Sequence, residues 1–148
     1  NRALFYELVQ HQLAVAEREG GKLGILAIDL DHFKVVNDEE GHAAGDQLLA
    51  AVARRLEATI RAADAAARMG GDEFLMIQAV QDEQEASAIN DRLHDRFRTA
   101  GISISLGFSM AALPAINIDA VLAEADCHMY KEKVEHHKTR HQHQATDA

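Results

Sequence analysis

Apolar residues recur at two spacings along the chain, and the two spacings predict strands and helices respectively. Short, nearly continuous apolar runs predict four strands: one in "LGILAIDLD", two in "AAARMGGDEFLMIQA" and one in "GISISLGFSMA". Helical spacing predicts one helix before Gly20, one that begins near Asp46, one in "DEQEASAINDRLHDRF" and one from Asp119 to about Lys133. The apolar stripe of the second of these helices comprises Leu48, Leu49, Val52, Leu56 and Ile60.

The order of these elements predicts an α+β domain. After the first helix it is strand, helix, strand, strand, helix, strand, helix, which is typical of a ferredoxin-like mixed β-sheet with helices packed on one face. The two middle strands form a β-hairpin, and Gly70-Gly71 is a suitable two-residue loop because both positions accept positive φ. Residues 31–46 are polar and irregular, which predicts a loop or short helical turn, and Asp46 is placed to cap the next helix.

The pattern predicts one domain over residues 1–135, followed by a polar, His-rich tail over residues 136–148. Four of the nine histidines stand in that tail: His136, His137, His141 and His143. A frayed tail does not hold imidazoles in fixed positions, so a metal site there is not expected.

Composition and charge restrict the partners that the chain can bind. The 148 residues are 47% apolar and carry a formal net charge of −9, which argues against nucleic acid as a partner. An anionic ligand would need metal ions or a few well-placed cations. No apolar run is long enough to cross a bilayer, and the single cysteine, Cys127, rules out an intrachain disulfide. We therefore expect a cytoplasmic location.

Carboxylates stand at the ends of two predicted strands. Asp29 and Asp31 close the first strand, and Asp72 and Glu73 follow the two glycines of the hairpin. A tight turn followed by solvated acids would account for the second pair alone. If the two strands are neighbours, however, Asp29 and Asp72 converge, and converging carboxylates suit a hard cation such as Mg²⁺. The Leu30 carbonyl can complete such a site, while strand alternation makes Glu73 secondary to Asp72.

Two long motifs resemble those of the GGDEF family of diguanylate cyclases, and the resemblance covers nearly the whole chain. They are "RMGGDEF" at 68–74 and "DLDHFKVVNDEEGHAAGD" at 29–46, while the opening "NRALF" resembles the end of the family's start signature and indicates a fragment of a longer protein. The resemblance implies a palm-like nucleotidyl cyclase fold and the joining of two GTP molecules into cyclic di-GMP, with release of pyrophosphate.

The resemblance also implies roles for particular residues. Asp29, the Leu30 carbonyl and Asp72 would hold Mg²⁺ or Mn²⁺, with Asp72 accepting the 3′-hydroxyl proton and Glu73 as a second catalytic acid. The implied substrate contacts are Lys34 and Lys133 at the phosphates, Asn37 and Asp46 at guanine, His42 near the nucleotide, and Gly70 and Gly71 at the turn. Alternatives stay open: Asp46 as a helix cap, Lys34 and Asn37 as ordinary loop residues, and His42 as a hydrogen-bond partner of the backbone.

Two further segments relate to regulation and to phosphate binding. "RAAD", with Arg61 and Asp64, resembles the family's product-inhibition motif, to which Arg92 would add a cation. After Lys133 the chain departs from the family's Gly-Arg-Asn pattern, and His137 stands at the arginine position. A neutral imidazole binds phosphate less well than arginine does, unless Lys138 or Arg140 substitutes.

Three functions are compatible with these residues. An active cyclase would work as a homodimer, because its product is built from two equivalent nucleotides, and an N-terminal sensory domain or a membrane-anchored parent would control it. A non-catalytic receptor for cyclic di-GMP or GTP would keep only the binding residues. A dehalogenase-type phosphatase would use the paired aspartates, but Phe33 stands where that family has threonine or valine.

Overall fold

The computed structural model describes residues 2–60, 64–112 and 117–146. Within these ranges it contains five helices and four strands. The helices are α1 (Arg2–Glu19), α2 (Phe33–Glu40), α3 (His42–Thr59), α4 (Glu83–Thr99) and α5 (Ile118–Thr146). The strands are β1 (Lys22–Leu30), β2 (Ala65–Gly70), β3 (Glu73–Val80) and β4 (Ile104–Ala112). The predicted α+β class is confirmed, and the order of elements is as predicted except for one additional helix, α2, between β1 and α3.

The sheet has the strand order β2-β3-β1-β4, with β1 between two neighbours. The described strand pairs are antiparallel: β1–β3, β1–β4 and β2–β3. The sheet is therefore antiparallel, and the prediction of a mixed sheet was wrong. The ferredoxin-like connectivity explains this. The two helical crossovers join β1 to β2 and β3 to β4, and one antiparallel strand lies between the two members of each pair. The C-terminal end of β1 consequently lies beside the hairpin, where the candidate acids stand.

Helices cover both faces of the sheet, which corrects the expectation of helices on one face only. On one face, Leu26, Ile28 and Leu30 of β1 join the core with side chains from α3 and α4. On the other face, Leu23 and Ile25 pack with residues of α1 and α5. Strand β1 is apolar at successive positions rather than at alternate ones, so both of its faces must be removed from water.

Helix α5 approaches the sheet closely at Gly107 of β4. A Cβ atom at this position would collide with the backbone of α5 at the Ala125 carbonyl and the Met129 amide. Glycine is therefore required for the backbone of α5 to lie directly against β4. This contact fixes the position of the helix that brings Lys133 and His136 to the end of β1.

Three local predictions need correction. The segment after β1 contains a longer helix, α2, than the predicted loop or short helical turn, and Asp46 is not a cap because α3 begins four residues earlier, at His42. The hairpin loop is shifted by one residue, since Gly70 pairs with Glu73 and leaves Gly71 and Asp72 as the loop. The positive φ expected of both glycines is observed, at 141° for Gly70 and 51° for Gly71.

The predicted end of the last helix near Lys133, with a frayed tail after it, was also wrong. Helix α5 continues without a break from Ile118 to Thr146. Neither glycine nor proline occurs after Lys133, so no residue of the segment stops the helix, and His136 is attached to the sheet through Asp31. Among the described residues, no helix has both the length and the apolar character needed to cross a membrane.

Candidate functional site

The acids of the two motifs meet at one end of the sheet, as the sequence predicts. Asp29 of β1 lies opposite Glu73 of β3 in the strand register. The hairpin loop is attached to β1 as well, because the Leu30 amide donates to the Asp72 carbonyl at 3.3 Å. The Arg68 guanidinium of β2 donates to the Gly71 carbonyl at 2.8 and 3.1 Å, which stabilises the turn. Asp72 is therefore held beside Asp29, although 43 positions separate them in the sequence.

Lys133 of α5 places a positive charge among the three predicted cation ligands. Its ammonium lies 2.8 Å from Asp29 Oδ2 and 3.3 Å from the Leu30 carbonyl oxygen. It lies 4.0 Å from Asp72 Oδ2. Three oxygens predicted to hold a divalent cation thus already surround one monovalent cation. The donor set is hard and anionic, which suits Mg²⁺ or Mn²⁺.

Asp29 is a partly buried acid with a raised pKa. Burial raises its pKa to about 6, the Lys133 hydrogen bond opposes this rise, and the neighbouring Asp72 carboxylate adds to it. Its Oδ1 atom is buried and has no hydrogen-bond partner among the described residues. A buried carboxylate oxygen without a donor is unfavourable unless a proton or a cation reaches it. The residues present therefore fit a divalent metal ion.

Glu73 has a partner that the sequence did not reveal. The pKa of Glu73 is raised to about 7, first by burial and next by the adjacent Asp126 carboxylate of α5. The charges of Asp29 and Asp72 contribute less to this rise. Asp126 Oδ1 is itself buried without a hydrogen-bond partner among the described residues. The neighbouring Asp126 carboxyl group therefore favours the protonated form of Glu73.

Asp31 is the centre of a second network, which the sequence does not predict. Its carboxylate accepts from the hydroxyls of Ser103 and Ser105, both at 2.6 Å, and lies 2.8 Å from His136 Nδ1. Burial alone would raise the pKa of Asp31, but the two serines and the His136 contact outweigh it and hold the pKa below its ordinary 3.8. This network joins the end of β1, the start of β4 and helix α5. The alternation of isoleucine and serine over residues 102–105, at the start of an apolar strand, was the available signal.

The remaining predicted nucleotide residues lie on α2 and α3. Asn37 packs so closely on Gly45 that its Oδ1 atom occupies the place of a Cβ there, which explains the glycine next to Asp46. His42 and Asp46 are exposed on the first turns of α3. Lys34 is exposed on α2 and forms no ion pair with the strand-end acids within the described part of the chain. The structure thus brings Asn37 to the start of α3 but leaves Lys34 separate from Asp29 and Asp72.

The pattern described as "Diguanylate cyclase, GGDEF domain" matches residues 1–139. The chain belongs to the GGDEF family of diguanylate cyclases. This GGDEF domain is 33% identical over 141 residues to the bifunctional diguanylate cyclase/cyclic di-GMP phosphodiesterase MucR of Pseudomonas aeruginosa, a match that covers 90% of this chain and 21% of MucR. The chain thus spans about a fifth of the length of that relative.

Solved structures of the family confirm the fold. The GGDEF domain of TpbB from Pseudomonas aeruginosa has a TM-score of 0.81 and 32% identity, covering 91% of this chain and 90% of that one. The GGDEF domain of DgcB from Caulobacter crescentus, solved in complex with cyclic di-GMP, has a TM-score of 0.77 and 28% identity, covering 90% of this chain and 84% of that one. The palm-like fold expected from the resemblance is therefore shown.

The structure describes one of the two predicted product-inhibition residues of this GGDEF domain, Asp64. Arg61 lies outside the described residues, and Asp64 is buried directly before β2. Arg92, which the sequence suggested as an additional cation, lines a cavity of about 640 Å³ between α3 and α4 together with Arg55 and Arg96. The inhibitory role of Arg61 and Asp64 stays a prediction.

Proposed function

We propose that this GGDEF domain is a diguanylate cyclase that condenses two GTP molecules into cyclic di-GMP and releases two pyrophosphates. The observation that carries the proposal is the convergence of Asp29, the Leu30 carbonyl and Asp72 on a single cationic group, the Lys133 ammonium. A phosphoryl-transfer site requires such a concentration of oxygens for its metal and a cation for its phosphates. Family membership adds the reaction class.

The three oxygens that surround Lys133 would hold Mg²⁺ or Mn²⁺ in the working enzyme. Such an ion, when bound, offsets negative charge on the α-phosphate and on the departing pyrophosphate. A divalent ion among these acids would compete with the Lys133 ammonium for the same oxygens, so Lys133 would then be available to the phosphates of GTP. This exchange explains why a lysine stands close to carboxylates that a metal is expected to use.

The carboxylates would also manage the proton of the reaction. The 3′-hydroxyl of one GTP forms a bond to the α-phosphorus of the other, and the bond from that phosphorus to the pyrophosphate oxygen breaks. Asp72, at the open hairpin loop, would accept the hydroxyl proton. Glu73 would support it as a second acid, because its raised pKa of about 7 lets it hold or release a proton near neutral pH.

Helices α2 and α3 would read the guanine. Guanine presents N1–H and N2–H₂ donors, which the Asp46 carboxylate can accept, whereas adenine has a bare N1 at that position. Asn37 both donates and accepts, and His42 is exposed near the same helix start. Lys34 would contact the triphosphate, and Gly70 and Gly71 have no side chains to obstruct its approach.

The reaction joins two equivalent nucleotides, so two copies of the domain would have to face each other, each with one GTP. We infer that catalysis depends on a homodimer, and that an N-terminal sensory domain in the complete protein promotes it. Turnover per domain should then rise with protein concentration when the domains associate weakly. Strictly proportional activity across a wide concentration range would contradict the half-site mechanism.

The deciding experiment incubates the purified domain with GTP and Mg²⁺ and separates the nucleotides by chromatography. We expect cyclic di-GMP from the wild type and from Glu124→Ala, a change at an exposed position of α5. Asp72→Ala should form no product, because it removes a metal ligand and the proton acceptor together. Full activity of Asp72→Ala would refute the proposal, and cyclic di-GMP binding without any product would instead favour a receptor module.

A further inference from the structure

Two imidazoles of the last turns of α5 face each other in a fixed arrangement. His137 and His141 are four residues apart on a continuous helix, so they lie on the same face. Their Nε2 atoms are 2.9 Å apart, the ring centroids are separated by 4.4 Å, and the ring planes are inclined at 85°. Both side chains are exposed to solvent. The helical frame that a frayed tail would lack is thus present.

We propose that His137 and His141 form a binding site for a divalent transition-metal ion of the Ni²⁺ and Cu²⁺ class. Imidazole nitrogens bind such ions at about 2.0–2.1 Å. Two nitrogens 2.9 Å apart at that bond length subtend an angle of about 90° at the ion. This is the angle between neighbouring ligands in square-planar and octahedral coordination, whereas a tetrahedral zinc site requires wider separation.

The protonation state of the pair is compatible with this assignment. In the metal-free pair one neutral ring donates from Nε2 and the other accepts, so one ring carries its proton on Nε2. Metal binding needs the lone pair of both Nε2 atoms, and each neutral ring then carries its single proton on Nδ1. No net proton is released and no co-reactant is required.

The anchoring of α5 explains why the two rings are already positioned. His136, the residue before the pair, is attached to the sheet by its contact with Asp31, and the helix continues beyond the pair to Thr146. Within the described residues there is no group of three or more His, Cys, Asp or Glu side chains that could hold a metal, so water would fill the other coordination positions. The site is therefore a two-ligand chelate whose strength depends on the four-residue spacing.

The test is calorimetric titration of the whole chain with NiCl₂ and, separately, with CuCl₂, in a buffer that does not bind either ion. We expect one chelate site in the wild type, and His137→Ala or His141→Ala should weaken it by about tenfold or more, because the second contact is intramolecular. His143→Ala is the matched control, since it removes another exposed imidazole of the same helix and leaves the pair intact. Its affinity should stay within twofold of the wild type.

A register variant separates chelation from the mere presence of histidines. Combining His141→Gln with Gln142→His keeps the composition and changes the spacing from four residues to five, which turns one ring away from the other. This variant should bind as weakly as His137→Ala, and nickel should raise the melting temperature of the wild type but not of the variant. The proposal is overturned if the register variant or either single alanine variant binds within threefold of the wild type.

Discussion

Glu73 offers a direct test of the electrostatics at the strand ends, because its effect on stability changes with pH. Burial and the adjacent Asp126 carboxylate raise the pKa of Glu73 from 4.5 to about 7 in the folded domain. Below about pH 4.5 Glu73 is protonated in both the folded and the unfolded chain, so it adds no pH dependence to the free energy of unfolding. Between these values the unfolded chain releases its proton first, and stability falls as the pH rises. Above about pH 7 the whole cost of the buried charge is present.

Replacing Glu73 by glutamine removes that cost and keeps a donor for Asp126. A pKa difference from 4.5 to about 7 corresponds to about 3 kcal/mol at full weight. Solvent screening at a half-buried side chain reduces the expected gain to about 1 kcal/mol. We therefore expect Glu73→Gln to stabilise the metal-free domain by that amount at pH 8 and to have almost no effect at pH 4.5.

The assay is urea denaturation in the presence of EDTA at pH 4.5, 6 and 8, followed by circular dichroism. Glu124→Gln makes the same chemical change at an exposed position of α5 and should alter the free energy of unfolding little at any pH. The reasoning is refuted if Glu73→Gln has the same effect at pH 4.5 and pH 8, or if it destabilises the domain at pH 8.

Two further substitutions test how α5 is held against the sheet. Gly107→Ala forces a Cβ against the backbone of α5 and should lower the free energy of unfolding by about 1–3 kcal/mol. Gly24→Ala meets only side chains, those of Phe108 and Val80, and should lose less, as urea denaturation of both variants would show. His136→Leu removes one partner of the buried Asp31 carboxylate and should cost about 1–3 kcal/mol in the same measurement. His143→Leu, at an exposed position of the same helix, should cost little, and equal losses in the two variants would contradict a specific role for His136.

Much of the fold followed from local patterns, and the errors lie where tertiary contacts decide. Helical and strand spacings predicted the element types because each element buries a continuous apolar face. The meeting of Asp29 with Asp72 followed from strand order alone. The end of α5 was not predicted because the chain after Lys133 is mostly polar, and the contact that attaches it to the sheet, between His136 and Asp31, spans 105 positions of sequence.

The site was predictable only where a motif carried it. The roles of Asp126 and Asp31 were not predicted, because each depends on a contact with a residue of another element. Asp126 lies beside Glu73, and Asp31 accepts a hydrogen bond from Ser105. The one-residue shift of the hairpin loop has a similar origin. The pairing of Gly70 with Glu73 is set by a register irregularity between Arg68 and Gly70, which no local turn signal reveals.

A single helix supplies a partner to each acid at the strand ends, and this links their protonation. Along α5, Asp126 lies beside Glu73, Lys133 forms ion pairs with Asp29 and Asp72, and His136 contacts Asp31. Residues seven apart in a helix lie on nearly the same face, so a small displacement of α5 moves Asp126 and Lys133 together. Moving the helix away would take the lysine from Asp29, which raises the pKa of Asp29, and would take the carboxylate from Glu73, which lowers the pKa of Glu73. Opposite changes of these two pKa values are therefore expected when α5 moves without exposing the strand ends to water, whereas a change in solvent exposure alone would move both pKa values in the same direction.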